Sequence, residues 1–192
     1  METTRASLLA RIKDLHDTQA WREFDSIYRS MLYRFARSRG LDRASAEDVV
    51  QRCMATVVRQ APTFRYEASK GKFRNWLRKM AENKMRDLLR ARRLKQADSK
   101  HLAALRSGEP SPEELFDKAW YQAHVMYCLE QVRADVQDTT YQAFQLYAIE
   151  ERPVGQVCEL LNMTPNQLYK IKWRVQQKVA KLMEEFVEET VA

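Results

Sequence analysis

The chain has 192 residues, 45% apolar and 31% charged, a folded, water-soluble mixture long enough for one ordinary domain or two small ones. Only 4 Gly and 5 Pro leave little material for an all-β fold, and 3 scattered cysteines without a CxxC pair suggest neither a disulfide framework nor a cysteine zinc site. The net charge of +7 is uneven: residues 21–95 carry 20 basic and 8 acidic side chains, whereas residues 96–192 carry 10 and 15.

That asymmetry points to a polyanionic partner for the first half, a solvated basic face being the bland alternative. Cys53, Cys128 and Cys158 read as buried thiols of a reducing, cytoplasmic compartment. The N-terminal stretch lacks the apolar core of a signal peptide. No apolar run approaches the ~18 residues of a membrane span, so no membrane insertion is expected.

Apolar residues recur at helical spacing, which predicts an all-α protein. Trp21, Phe24, Ile27, Tyr28, Met31, Leu32 and Phe35 form one stripe, ending at Arg39-Gly40, where Gly supplies a left-handed cap. A second helix is predicted from Ser45, with Glu47 and Asp48 in its first turn. It is expected to bury Val49, Val50, Cys53, Met54, Val57 and Val58 and to end before Ala61-Pro62. A third runs from about Phe73 to Arg93 with Phe73, Trp76, Leu77, Met80, Leu88 and Leu89 inward and Lys and Arg on its other face.

Residues 96–111 are poor in large apolar side chains and read as a flexible linker, with one helical turn at His101–Leu105. Extended, such a segment spans roughly 55 Å. The expected division is therefore 1–95, linker 96–111, and 112–192: two small helical domains. Ser111-Pro-Glu-Glu114 has the composition of a helix start. The helix it opens carries Leu115, Phe116, Ala119, Trp120, Met126, Tyr127 and Leu129, and another follows at about Thr139–Ile149.

Pro153 then opens a short helix burying Val154, Val157, Leu160 and Leu161, and Asn162 tolerates the left-handed turn after it. Thr164-Pro-Asn-Gln167 restarts a helix with Thr164 as N-cap and Gln167 completing a capping box. Leu168, Ile171, Val175, Val179 and Leu182 face the core; Asn166, Gln167, Tyr169, Lys170, Lys172, Trp173, Arg174 and Lys178 face out. This is the helix-turn-helix pattern, whose second helix enters the major groove. Thr164 to Lys181 holds five basic residues and no acid in an otherwise acidic half, which a merely structural hairpin does not need. Asn and Gln suit adenine, Lys and Arg guanine or phosphate.

No convergent catalytic set is visible. His124 and Cys128, four apart, could share a helix face, but nothing nearby completes a metal site, and a partly buried histidine beside a core cysteine is the plainer reading. There is no GxxxxGK[ST] phosphate loop, and the isolated glycines do not make a dinucleotide site. The chain is expected to be no enzyme and to need no cofactor or metal.

Together the halves resemble one family, the extracytoplasmic-function group of bacterial RNA polymerase sigma factors, small members of the sigma-seventy family. The resemblance covers about residues 20–95 (region two) and 118–186 (region four). Ala46-Glu-Asp-Val-Val-Gln51 resembles the helix that docks on the clamp of the polymerase largest subunit, which implies Asp48, Gln51 and Arg52 as polymerase contacts. Phe73-Arg-Asn-Trp-Leu77 with Asn83-Lys-Met-Arg-Asp-Leu-Leu-Arg90 is similar to the run that binds and opens the minus-ten promoter element. Glu150-x-Arg-Pro153 and Phe116-Asp-x-x-Trp120 also fit the group, and no segment corresponds to region three. Ile171-Lys172 and Asn162 depart from the commoner Arg-Leu and Gly.

The resemblance implies core RNA polymerase (clamp and flap), promoter DNA and an anti-sigma protein as partners. An unstacked base needs an aromatic platform among cations. Phe64, Tyr66, Lys72 and Arg74 offer one, with Phe64 and Tyr66 reading equally as core, while Arg78, Lys79, Asn83, Lys84, Arg86 and Arg90 would track phosphates. Thr164, Asn166, Gln167, Tyr169, Lys170, Lys172, Trp173 and Arg174 would meet the minus-thirty-five element. Two other readings stay open: a stand-alone helix-turn-helix regulator and a helical adaptor.

Overall fold

A computed structural model describes residues 5–64, 73–95 and 110–191, with side chains placed over 8–64, 73–91 and 110–184. The described elements are all helical, in the order α1 (Arg5–Arg11), α2 (Thr18–Ser38), α3 (Arg43–Gln60), α4 (Phe73–Lys95), α5 (Pro112–Asp135), α6 (Asp138–Phe144), α7 (Val154–Leu161) and α8 (Pro165–Val191). Two compact units divide between Ala123 and His124, within α5.

In the first unit Asp17 caps α2, its carboxylate accepting the Ala20 N–H at 2.9 Å and both guanidinium arms of Arg11 at 2.9 and 3.0 Å. The Arg11 guanidinium holds the Asp17 carboxyl below its usual range. A lowered folded-state pKa means this contribution is present at neutral pH and lost as pH falls through the folded value. Helix α2 buries Phe24, Ile27, Tyr28, Met31, Leu32 and Phe35, the expected stripe. It stops where expected: Gly40 takes φ +82°, its N–H donates to Arg37 O and that of Leu41 to Ala36 O, a Schellman end with Leu41 buried.

Helix α3 begins two residues before the predicted Ser45. Asp42 is the cap, accepting from the Ser45 N–H at 2.8 Å and the Ser45 hydroxyl at 2.7 Å, which leaves Ser45 buried. Glu47 and Asp48 therefore stand outside the first turn and pair with Arg43 and Arg52 along the helix face. Val49, Val50, Cys53, Met54 and Val57 are buried as expected, but Val58 is exposed. One 3-10 turn, Ala61–Thr63, follows the helix.

Helix α4 buries Phe73, Leu77, Met80 and Leu88 together with Ala81 and Met85. Leu89, expected inward, is exposed, and Trp76 is half-buried. An aromatic cluster joins the elements: Tyr28 meets Phe24 at 4.3 Å, Phe73 at 5.4 Å and Trp120 at 5.5 Å, and Phe35 meets Phe116 edge-on at 5.1 Å. Such pairs add about 0.5–1.5 kcal/mol beyond their area. Phe116 and Trp120 enter this core from the head of α5, although the expected boundary at residue 112 assigns them to the other domain.

The buried face of α5 changes midway, from Phe116, Ala119 and Ala123 to Cys128, Leu129 and Val132. Its N-terminus is the expected capping box: the Ser111 N–H donates to Glu114 Oε2 at 2.7 Å and the Glu114 N–H to Ser111 Oγ at 3.2 Å. The Ser111 backbone bond, then its hydroxyl, holds the Glu114 carboxyl below its usual range.

The second unit packs in two clusters, Leu129, Val132, Phe144 and Val175, then Ala143, Leu146, Val157 and Leu168, with Ile171 against both. Where one helix is predicted at Thr139–Ile149, α6 ends at Phe144 and a π turn takes over through Ile149. Leu160, expected buried, lies outside on α7. No described helix is long and apolar enough to cross a membrane.

Candidate nucleic-acid interface

The described basic side chains of α4, from Arg74 to Arg90, divide among three faces. Lys79, Asn83, Arg86 and Arg90 are exposed and spaced 4, 3 and 4 residues apart, one continuous stripe opposite the buried positions. Arg86 donates to the amide oxygen of Asn83 at 3.1 Å, and the exposed Asp87 borders the stripe on one side. A polyanion backbone running along the helix would meet Lys79, Arg86 and Arg90 in succession.

Arg74 and Arg78 lie on a second face and are engaged within the first unit. Arg74 pairs with Asp117 and sits over the Trp120 ring at 5.9 Å. Arg78 bridges Glu82 at 3.2 Å and Glu113 at 3.5 Å. The sequence shows Glu113 and Asp117 only as a helix start and a family-like motif, and their role against α4 depends on packing. Lys84 occupies the third face, half-buried, lining a groove with Arg52, Ala55, Thr56, Val58 and Arg59. Phe64 is half-buried against Trp76 at 5.0 Å and Phe73 at 6.0 Å, a wall of the core with one side open. Tyr66 and Lys72, the rest of the expected base platform, lie outside the described residues, as does the expected linker turn at 101–105.

Asp48, Gln51 and Arg52 share the outer side of α3, with Asp48 and Arg52 joined at 2.9 Å and Gln51 exposed. Gln51 also borders a groove between α2 and α3 lined by Ser26, Arg29, Tyr33 and Glu47.

In the second unit α7, a turn at Asn162–Thr164 and α8 form the helix-turn-helix. Asn162 adopts φ 49°, ψ 53°, and the Met163 N–H donates to Cys158 O at 3.0 Å. Gln167 Oε1 accepts the Thr164 N–H at 2.8 Å and the Thr164 hydroxyl at 3.0 Å, while the Gln167 N–H donates to Thr164 Oγ1 at 3.3 Å. Both Thr164 and Gln167 are thereby committed to the cap. Lys172 is half-buried with its ammonium 5.0 Å from the Tyr147 ring centre. Asn166, Tyr169, Lys170, Trp173 and Arg174 remain exposed on one stripe, opposite Leu168 and Val175. Lys178, further along, pairs with Asp135.

His124 and Cys128 are buried, and among the described residues no three ligating side chains gather for a metal. Burial pushes the Cys53 thiol up to about 12, against a smaller pull from Lys84. The thiolate is the reactive form. Iodoacetamide at mildly alkaline pH is therefore expected to label the half-exposed Cys158 first and to leave Cys53 untouched until unfolding. Peptide mass spectrometry reads the order; equal native labelling of the two would contradict it.

By class this is a helical protein that turns two basic faces outward, one on a bundle helix and one on a helix-turn-helix. Residues 26–95 match the family model Sigma-70 region 2, which supports a sigma-factor role in RNA polymerase binding and promoter recognition. Factors of the sigma-70 family are non-enzymatic initiation factors. No curated protein matches the chain.

Proposed function

We propose that the chain is a sigma factor of the extracytoplasmic-function type, acting in the cytoplasm. The observation that carries this is a pairing: a Sigma-70 region 2 segment at 26–95 and, beyond the segment 96–111 and helices α5 and α6, a capped helix-turn-helix whose second helix carries cations and no acid as far as Lys181. In this reading Asp48, Gln51 and Arg52 dock on the polymerase clamp. The Lys79–Arg90 stripe tracks non-template phosphates while Phe64, Tyr66 and Lys72 hold an unstacked base, Arg74 being engaged by Asp117 and Trp120. The α8 stripe grips intact duplex upstream, near the polymerase flap, and an anti-sigma protein would inhibit by covering these faces. The bond-forming chemistry belongs entirely to the polymerase.

Run-off transcription from genomic fragments, with core polymerase and with or without the chain, tests the proposal: new discrete transcripts that need both are expected. Duplex binding by the chain alone, with no transcript and a steep salt dependence, would instead favour a self-sufficient regulator. Asp48→Ala with Gln51→Ala should abolish pull-down of core polymerase and leave the circular dichroism spectrum unchanged, because neither side chain is in the core. Retained pull-down would remove α3 from the docking surface.

A further inference from the structure

Within the proposed reading, the exposed stripe of α8 has an unusual makeup for a helix that reads bases. Its two largest members are aromatic: Trp173 is 62% and Tyr169 50% exposed. They stand four residues apart, with Lys170 and Arg174 beside them. Neither belongs to the two clusters that fill the second unit, so its core is complete without Trp173.

Meanwhile the hydrogen-bonding inventory is thinner than the sequence suggests. A bidentate contact to adenine needs both the oxygen and the nitrogen of a side-chain amide. The Gln167 oxygen already accepts from the Thr164 N–H and hydroxyl. Lys172 is turned over Tyr147. The surroundings, five cations and no acid from Thr164 to Lys181, suit a polyanion rather than an apolar protein face. In the major groove the prominent apolar feature is the thymine C5-methyl group.

We propose that Trp173, assisted by Tyr169, is a specificity-determining residue that reads thymine C5-methyl groups in the duplex upstream of the start site. Lys170 and Arg174 anchor the helix on flanking phosphates, and Asn166 supplies the hydrogen-bonded base contact. This rests on the sigma-factor reading and adds to it the chemical group recognised.

The test uses the full chain with core polymerase and a promoter fragment recovered by run-off transcription. Thymines of the upstream element are replaced by deoxyuridine, which removes the methyl and leaves the base-pairing edge and O4 unchanged. Fluorescence anisotropy at fixed salt should show about fourfold weaker binding per contacted methyl, the scale of one buried carbon. Trp173→Ala should bind thymine and uracil duplexes equally, with an unchanged melting temperature; should that variant fail to fold, Trp173→Gln carries the same expectation. Equal binding of the two duplexes by the unsubstituted chain overturns the inference, as does full discrimination by the Trp173 variant. A chain that yields no run-off product with any fragment overturns the sigma-factor reading and this inference with it. Transcription with no uracil effect overturns the inference alone.

Discussion

Phe116→Ala will destabilise the first unit by about 3–5 kcal/mol, the usual cost of truncating a fully buried phenylalanine. The residue is 0% exposed, meets Phe35 edge-on at 5.1 Å and lies 5.9 Å from Trp120. Removing the ring leaves a cavity facing Phe35 and Trp120, and neither can close it without breaking its own ring contacts. The expectation is specific because Phe116 lies outside the segment that matches Sigma-70 region 2. If the head of α5 were only a tether to the second unit, the substitution would cost little. Urea unfolding of the full chain, followed by tryptophan fluorescence, measures the difference. Tyr121→Ala on the exposed side of the same helix should stay within about 0.5 kcal/mol. A Phe116 effect that small would detach α5 from this core.

The second large effect is expected at the exposed stripe of α4. Reversing Lys79, Arg86 and Arg90 to glutamate together should reduce promoter opening by polymerase more than tenfold, while core polymerase binding and helicity are retained. Each neutralised phosphate releases about 0.9 counterion on duplex DNA and about 0.7 on a single strand, so three lost contacts should flatten the log–log salt dependence by roughly two to three. All three side chains are exposed, so the reversal removes no core packing. Arg74 and Arg78 should behave differently: they pair with Asp117, Glu82 and Glu113, so substituting them loosens α4 from α5 as well as altering charge. Permanganate footprinting of the opened strand against polymerase pull-down separates the two. Parallel loss of opening and pull-down would mean that the stripe contacts polymerase rather than DNA.

Much of this organisation is legible in the residues because its causes are local. Gly40 and Asn162 occupy left-handed positions that other side chains resist. Ser111 with Glu114, and Thr164 with Gln167, close capping boxes whose partners are three residues apart. The start of α3 is misjudged for an equally local reason: Asp42 and Ser45 are both good caps, and the aspartate takes the serine as its partner. Val58, Leu89 and Leu160 illustrate a different limit. Each sits beside a buried stripe, and periodicity gives a face without saying how wide the neighbouring helix covers it.

The residues alone settle the all-α class, the end of α2, the capping boxes at Ser111 and Thr164, the core stripes of α2 and α8 and the helix-turn-helix, because each is set by interactions spanning a few residues. Tertiary structure alone decided which cations remain available and where the cores divide. Arg74 and Arg78 are claimed by acids some 35 to 43 positions further along the chain, whereas Lys79, Arg86 and Arg90 are not. The head of α5 joins the first core because Phe116 and Trp120 meet Phe35 and Tyr28, partners too distant in sequence for periodicity to reveal.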